Sequence, residues 1–197
     1  MSDIEIICSL QKTEKTDVQQ VKKDLRKKIL GQRVAMTKQQ VSEYSEIICQ
    51  KIREHSIYQT SRDLCLYMPI RNEVDVTFLI NPAREAGKKI WLPKIINNKM
   101  DFYFYDNNTG LSEGAYRIPE PLSECKLIPD KYTLIIMPGA VFSANHDRIG
   151  YGGGYYDRYL AAYSICRTLA VCYDFQIVSD FFGEAHDIKP EDVISNK

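Results

Sequence analysis

Arg148-Ile149-Gly150-Tyr151-Gly152-Gly153-Gly154-Tyr155-Tyr156-Asp157-Arg158-Tyr159-Leu160 places four glycines within five positions, behind a basic residue and ahead of a helix-like run. Glycine lacks Cβ, so the backbone here can take positive φ and approach a ligand closely. A helix opening at Gly154 or Tyr155 would aim unpaired N–H groups and its positive dipole end at the loop, which favours an anion such as phosphate. No Gly-Lys-Ser/Thr closes the loop, so it is not a Walker A loop. It also lacks the acidic ribose partner, about 20 residues on, of a dinucleotide fingerprint. A glycine-rich turn between strand and helix, with no ligand, is the plain alternative. Arg148 and the Tyr155-Tyr156-Asp157 opening favour a ligand, because aromatic rings beside bare backbone suit a flat heterocycle.

Working outward, Thr133-Leu-Ile-Ile-Met137 is an apolar run between turn signals, the mark of a central parallel strand, and Thr168-Leu-Ala-Val-Cys172 reads likewise. Leu64-Cys-Leu-Tyr-Met68 predicts a third buried strand, stopped by Pro69. The loop Ile70–Asp75 then falls past the strand's C-terminal end, where open α/β sheets place ligand groups. Glu73 is its candidate acid, with a helix cap or dipole partner as the alternative role. Asp75 to Gly87 predicts a helix capped by Asp75 and broken or kinked at Pro82. Lys88–Leu92 predicts a strand ended by Pro93-Lys94, and Asp101–Tyr105 another, followed by an Asn107–Gly110 turn. Ala115-Tyr-Arg-Ile-Pro-Glu-Pro121 predicts an irregular, extended surface segment that presents Tyr116 to a site. His186–Pro190 predicts a polar loop and Asp192–Ser195 a last edge strand.

Toward the N-terminus, Thr37-Lys-Gln-Gln40 is a capping-box pattern that opens a helix over about 38–55. Val18, Val21, Leu25 and Ile29 recur at helical spacing and predict a helix ending near Gly31, with Lys22, Lys23, Arg26, Lys27 and Lys28 on its other faces. Lys22 and Arg26, four apart, project together. They form either a solvated face or a pair of phosphate ligands. Residues 1–14 predict a peripheral tail that frays or adds a short strand. Helical and strand segments alternate over 15–197, which predicts an α/β fold, one domain, with a mostly parallel sheet and helices on both faces.

The 197 residues suffice for one sizeable domain, and 44% hydrophobic with 26% charged residues is ordinary for a soluble protein. Lys plus Arg equals Asp plus Glu at 26 each, so no global field draws the chain to nucleic acid or membrane. Cys8, Cys49, Cys65, Cys125, Cys166 and Cys172 show no C-x-x-C spacing, which argues for a reduced compartment. With an acidic start and no apolar run near 18 residues, a cytoplasmic protein is expected. His55, His146 and His186 have no metal-ligand spacing and read as surface residues.

Ile136-Met-Pro-Gly-Ala-Val-Phe142 with Arg148–Leu160 resembles the signature of the 5-formyltetrahydrofolate cyclo-ligase, or 5,10-methenyltetrahydrofolate synthetase, family. Lys22–Arg26, Glu73-Val-Asp75, Leu92-Pro-Lys94, Ile118–Pro121 and His186-Asp187 add to the likeness in consistent order over about residues 20–195. The resemblance implies an ATP- and Mg²⁺-dependent enzyme closing 5-formyltetrahydrofolate to 5,10-methenyltetrahydrofolate, with ADP and phosphate released. It implies a single three-layer α/β/α domain like that of the sugar-phosphate isomerases and CoA transferases. Its partners would be small molecules, a reduced folate and ATP, and a monomer is expected. Carried over, Lys22, Lys23, Asp24, Leu25 and Arg26 would contact ATP, with Arg148, Ile149, Gly150, Tyr151, Gly152, Gly153, Gly154, Tyr155 and Tyr156. Met68, Glu73 and Tyr151 through Tyr155 would line the folate pocket, joined by Tyr116, and Asp157 with Asp187 would hold magnesium. Where the family usually has Asp after the Phe142 position and Gly before its arginine turn, this chain has Ser143 and His146-Asp147. Some members carry Lys where this chain has Gly153, so here Lys22, Arg26, Arg148 and the metal must meet the phosphate charge.

A formamide oxygen is a poor nucleophile and a poor leaving group, and phosphorylation by ATP would activate it for attack by the substrate's own N10. Such chemistry needs positioning and charge neutralisation more than a protein nucleophile. Arg148, Lys22 and Arg26 are the candidate catalytic cations. Two other classes remain open on the residues: an isomerase- or transferase-like enzyme using Glu73 as base, and a non-catalytic folate- or nucleotide-binding protein.

Overall fold

The structure, a computed structural model, describes the backbone of residues 3–178, 181 and 187–197, with side chains from residue 19 onward in those ranges. Cys8 and His186 therefore lie outside the described side chains. Helices α1 (Asp3–Val34), α2 (Lys38–Glu54) and α3 (Ser56–Thr60) precede strand β1 (Asp63–Cys65). A 3-10 turn (Val76–Leu79) runs into α4 (Ile80–Glu85), followed by the strands β2 (Lys89–Ile96) and β3 (Lys99–Tyr105). Short strands β4 (Leu111–Glu113) and β5 (Pro119–Pro121) come next, then β6 (Thr133–Met137), β7 (Val141–Ser143) and β8 (Arg148–Ile149). Helix α5 (Tyr155–Ala162), β9 (Arg167–Val171), β10 (Ile177–Val178) and β11 (Asp192–Ile194) complete the chain.

The main sheet has the order β11-β9-β6-β1-β2-β3. All its pairings are parallel except β2 with β3. Successive side chains of a strand point to opposite faces. Leu64, Leu66, Leu134, Ile136, Leu169 and Val171 accordingly enter one core, beneath α2, the 3-10 turn and α4. Cys65, Ile135, Met137, Ala170 and Cys172 enter a second core, beneath Tyr159 and Leu160 of α5. Strands apolar on both faces are covered on both faces, and the result is three layers. A second small sheet, β10-β7-β8, carries a third core with Ile29 of α1.

The capping box of α2 forms as expected, with Gln40 N–H donating to Thr37 Oγ1 and Thr37 N–H to Gln40 Oε1. Helix α1 extends further than its spacing suggests, since residues 3–14 continue its backbone and it ends at Val34 rather than Gly31. Pro82 neither breaks nor kinks a long helix. It sits in the first turn of α4, where its missing N–H goes unused. Pro93 does not end its strand either, because β2 runs on to Ile96. Trp91 accepts from Leu66 N–H on the β1 side at 3.0 Å, and Pro93, two residues on, faces that same side beyond the end of β1. No ladder donor is lost.

The segment over 115–121 is more regular than expected. Glu113 and Pro119 pair across a β4–β5 hairpin whose 3-10 turn holds Tyr116 at φ 58° and Arg117 at φ 60°. Buried Glu120 fastens this hairpin to β2, its Oε1 accepting from Ile95 N–H at 3.2 Å and Ala115 N–H at 3.1 Å. His55 and His146 both face Asp192, at 3.4 and 3.7 Å, so neither is a free surface ring. The five described cysteines are unbridged. No helix among the described residues is long and apolar enough to cross a membrane.

Candidate active site

The loops after β1, β6 and β9 leave the C-terminal ends of adjacent parallel strands and meet the glycine loop there. In the loop after β1, Arg71 and Asn72 take positive φ of 49° and 58°. This turns the Asn72 amide onto the carbonyls of Arg33, Val34 and Met36 at 3.1, 3.3 and 3.1 Å. Arg33 and Val34 are the last two residues of α1, and Met36 follows them. The C-terminus of α1 is thereby sealed onto the site loop.

The glycine loop enters α5 through Gly154, at φ 62°, after Gly152 at φ 97°. A Cβ on Gly153 would lie 2.8 Å from the Tyr155 ring, so this glycine lets the ring fold back over the loop. Arg158 closes the turn by donating to Gly153 O at 2.8 Å, with its guanidinium 4.9 Å from the centre of the Tyr155 ring.

Cations reach this loop from two directions. Arg26 of α1 donates Nε to Gly150 O at 2.8 Å, and Lys22, one turn earlier, pairs with Asp187 at 2.9 Å. Arg148 is buried, its Nη2 2.8 Å from Asp157 Oδ1 and its guanidinium 6.0 Å from the Tyr156 ring centre. Its Nε has no hydrogen-bond partner among the described residues. A buried unsatisfied donor costs about 1–3 kcal/mol, so one retained in a cation-rich loop points to an incoming acceptor.

On the inner side, Tyr151 shows 43% exposure, yet its hydroxyl is engaged by the protein. Its hydroxyl accepts from Arg33 Nη1 at 2.5 Å and lies 3.3 Å from Gly139 O. Tyr151 also hydrogen-bonds Glu73, whose Oε2 accepts from Ile70 N–H at 2.9 Å. Burial pushes the Glu73 carboxyl above its ordinary range, while Tyr151, Ile70 N–H, Arg33 and Arg71 draw it back in that order. Burial, then Glu73, drives the Tyr151 and Tyr156 phenols upward, so both stay protonated donors at neutral pH.

On the outer side, the Tyr155 hydroxyl bonds Asn98 Oδ1 at 2.9 Å and the Tyr116 hydroxyl at 3.0 Å. The two rings meet edge to face at 6.2 Å. Tyr116 is 69% exposed.

The structure thus brings Lys22, Arg26, Arg148, Glu73, Tyr116 and the loop Gly150–Tyr156 to one end of the sheet. Met68 lies beside them, half-buried against the main core. Two members of the expected nucleotide set stand apart: Lys23 and Asp24 are exposed, Asp24 accepting from Gln20 at 3.0 Å. Leu25 packs into the third core. Ile149 is buried in that core as well, so only its backbone can face a ligand. Arg33, Asn98 and Arg158 were missed in the sequence. Arg33 alone carried a signal, since it lies seven residues, about two turns, beyond Arg26 on the same helix face.

Asp157 and Asp187 come from neighbouring segments, because Ile188 N–H donates to Asp157 Oδ1 at 3.3 Å. Among the described residues no group of three or more His, Cys, Asp or Glu side chains is arranged to hold a metal. Two carboxylates, with phosphate and water completing the shell, are nevertheless what Mg²⁺ commonly uses, so the donor types fit. Two grooves of about 260 and 450 Å³ open elsewhere, at the N-terminal ends of β1 and β2 around Arg84–Lys89 and Arg62–Trp91. They lie away from this chemistry.

A profile of the 5-formyltetrahydrofolate cyclo-ligase family matches residues 18–196. The mouse 5-formyltetrahydrofolate cyclo-ligase is 25% identical over 191 residues, which cover 90% of this chain and 94% of that protein. A probable 5-formyltetrahydrofolate cyclo-ligase of Schizosaccharomyces pombe is 34% identical over 122 residues, 59% of this chain and 60% of its own length. The NMR structure of Aquifex aeolicus 5,10-methenyltetrahydrofolate synthetase superposes with a TM-score of 0.81 at 30% identity, over 90% of each chain. With its signature loop, its parallel sheet and these relatives in agreement, the chain belongs to the 5-formyltetrahydrofolate cyclo-ligase family.

Proposed function

We propose that this chain uses ATP to close 5-formyltetrahydrofolate to 5,10-methenyltetrahydrofolate. The γ-phosphoryl group passes to the formyl oxygen and ADP leaves. N10 then forms a bond to the formyl carbon and gives up its proton, the C–O bond breaks, and phosphate departs carrying that proton. The residues at the site suit that sequence. Lys22 and Arg26 hold the nucleotide's phosphates, Arg148 neutralises charge on the transferring group, and Met68, Glu73, Tyr116, Tyr151 and Tyr155 receive the folate. The glycine-loop amides supply further donors without a side chain in the way. Asp157 and Asp187 would hold Mg²⁺, which when bound adds positive charge at the phosphates.

One observation carries the reading: the contact of Arg26 with Gly150 O at 2.8 Å, which joins a basic helix to a glycine loop 124 positions away. The test is direct. Purified protein with 5-formyltetrahydrofolate and Mg-ATP is expected to yield methenyltetrahydrofolate absorbance and ADP in equal amounts, and omission of ATP to abolish both. Product formed without ATP, or no product with it, would refute the proposal.

A further inference from the structure

Arg33 is only 1% exposed. A guanidinium taken out of water is costly unless paired and hydrogen-bonded, so its partners indicate what it serves. Its Nη1 donates to Tyr151 OH at 2.5 Å and lies 3.9 Å from Glu73 Oε1, and its Nε donates to Arg71 O at 3.1 Å. The guanidinium carbon sits 5.4 Å from the centre of the Tyr151 ring. Asn72 holds Arg33 by its own carbonyl. One side chain therefore ties the end of α1, the loop after β1 and the glycine loop, without lying among the cations assigned to phosphate.

We propose that Arg33 is a positioning residue for the folate end of the site. It holds the Tyr151 hydroxyl and the Glu73 carboxylate together as one fixed, charged acceptor for the N–H donors of the folate heterocycle. The proposal rests on the cyclo-ligase reading, in which Glu73 and Tyr151 face the folate.

The surroundings of Glu73 show why a buried cation is needed. Arg71 approaches from its own loop, Tyr67 follows β1, Tyr151 belongs to the glycine loop, Tyr156 to α5, and Tyr173 follows β9. Tyr173 OH also donates to Glu73 O at 3.2 Å. The Tyr151 phenol offsets the burial most and Ile70 N–H next, but neither brings a charge. Among the described residues Arg33 is a cation that reaches it from outside its own loop, and without it burial would move Glu73 further toward its neutral form. A neutral acid would present one oxygen as donor and lose half of its acceptor face.

The experiment compares the wild type with Arg33→Met, Arg33→Lys, Glu73→Gln and the doubly substituted chains. Arg33→Met is expected to raise the folate KM about tenfold or more, with the ATP KM within about twofold of wild type. The acid limb of its kcat/KM profile should move to higher pH, whereas Arg33→Lys, which keeps a charge beside Glu73, should leave that limb in place. In the Glu73→Gln background either Arg33 substitution should add no further loss. A fixed acid limb in Arg33→Met, or losses that simply add, would overturn the proposal. If Arg33→Met does not fold, the Arg33→Lys cycle decides: a loss of a few-fold that vanishes once Glu73→Gln has removed the charge supports it, and a loss that persists refutes it. The carboxyl ¹³C shift of Glu73 in the protein alone gives a readout independent of turnover. Its titration midpoint should rise in Arg33→Met even if the wild type makes no methenyltetrahydrofolate, which separates failure of this proposal from failure of the cyclo-ligase reading.

Discussion

The two flanks of the glycine loop are built on opposite principles. On the inner side the contacts are charged and at least partly buried: Arg26 and Arg33 of α1 on Gly150 O and Tyr151, and Arg148 on Asp157. Toward the β4–β5 hairpin they are neutral and wet, with Tyr155 bonded to Asn98 and to exposed Tyr116. Buried charge-assisted hydrogen bonds hold a fixed geometry, while exposed hydroxyl pairs exchange readily with water. The inner flank is suited to holding groups in one fixed position, and the outer flank to admitting a bulky heterocycle.

Substitutions should therefore be severe inside and mild outside. Arg148→Ala is expected to lower kcat by about 10²–10³, as loss of a donor at developing charge does, with circular dichroism showing the fold retained. Near-wild-type turnover would remove Arg148 from the chemistry and collapse the contrast. Arg26→Ala should come next, raising the ATP KM by about tenfold or more while leaving the folate KM within about twofold. Equal effects on both substrates would show that Arg26 shapes the loop rather than holding phosphate. On the outer flank, Tyr116→Phe removes only an exposed hydroxyl and should change the folate KM by less than about threefold. A larger loss would mean that the hairpin is part of the fixed machinery.

The smallest effect is a slope in stability. Burial holds the folded Glu73 carboxyl above its ordinary value of 4.5. Its contribution to stability is then complete below that value and drains away as pH rises through the folded one. Melting temperature should fall less steeply from pH 4.5 upward in Glu73→Gln than in the wild type, by a few degrees in all. An unchanged slope would show that Arg33 and Tyr151 already offset burial in full.

Much of this architecture was legible in the chain because it is written in long patterns. Strands β6 and β9 are apolar on both faces and α2 carries a complete capping box, so both declare themselves over several residues. The small sheet escaped notice for the opposite reason, since β7, β8 and β10 span three, two and two residues, too few for any period to show. Pro93 and Pro119 misled because a proline's effect depends on which side its missing N–H faces, and only the sheet order reveals that. The meeting of Lys22 and Arg26 with the glycine loop was visible through the family resemblance. The seating of Arg33 was not, because an arginine near a helix end reads as solvated until the loop that buries it is known. Lys23, Asp24 and Leu25 show the converse: adjacency to Lys22 and Arg26 in sequence turns side chains to other faces of the helix.

The ion pair of Lys22 with Asp187 joins positions 165 apart, and the same late segment touches Asp157 through Ile188. Contacts so distant along a chain form slowly, because a long loop must close before they bring any return. During refolding from denaturant the helical signal should recover early and catalysis only afterwards. A half-folded molecule would then be well structured and still inert.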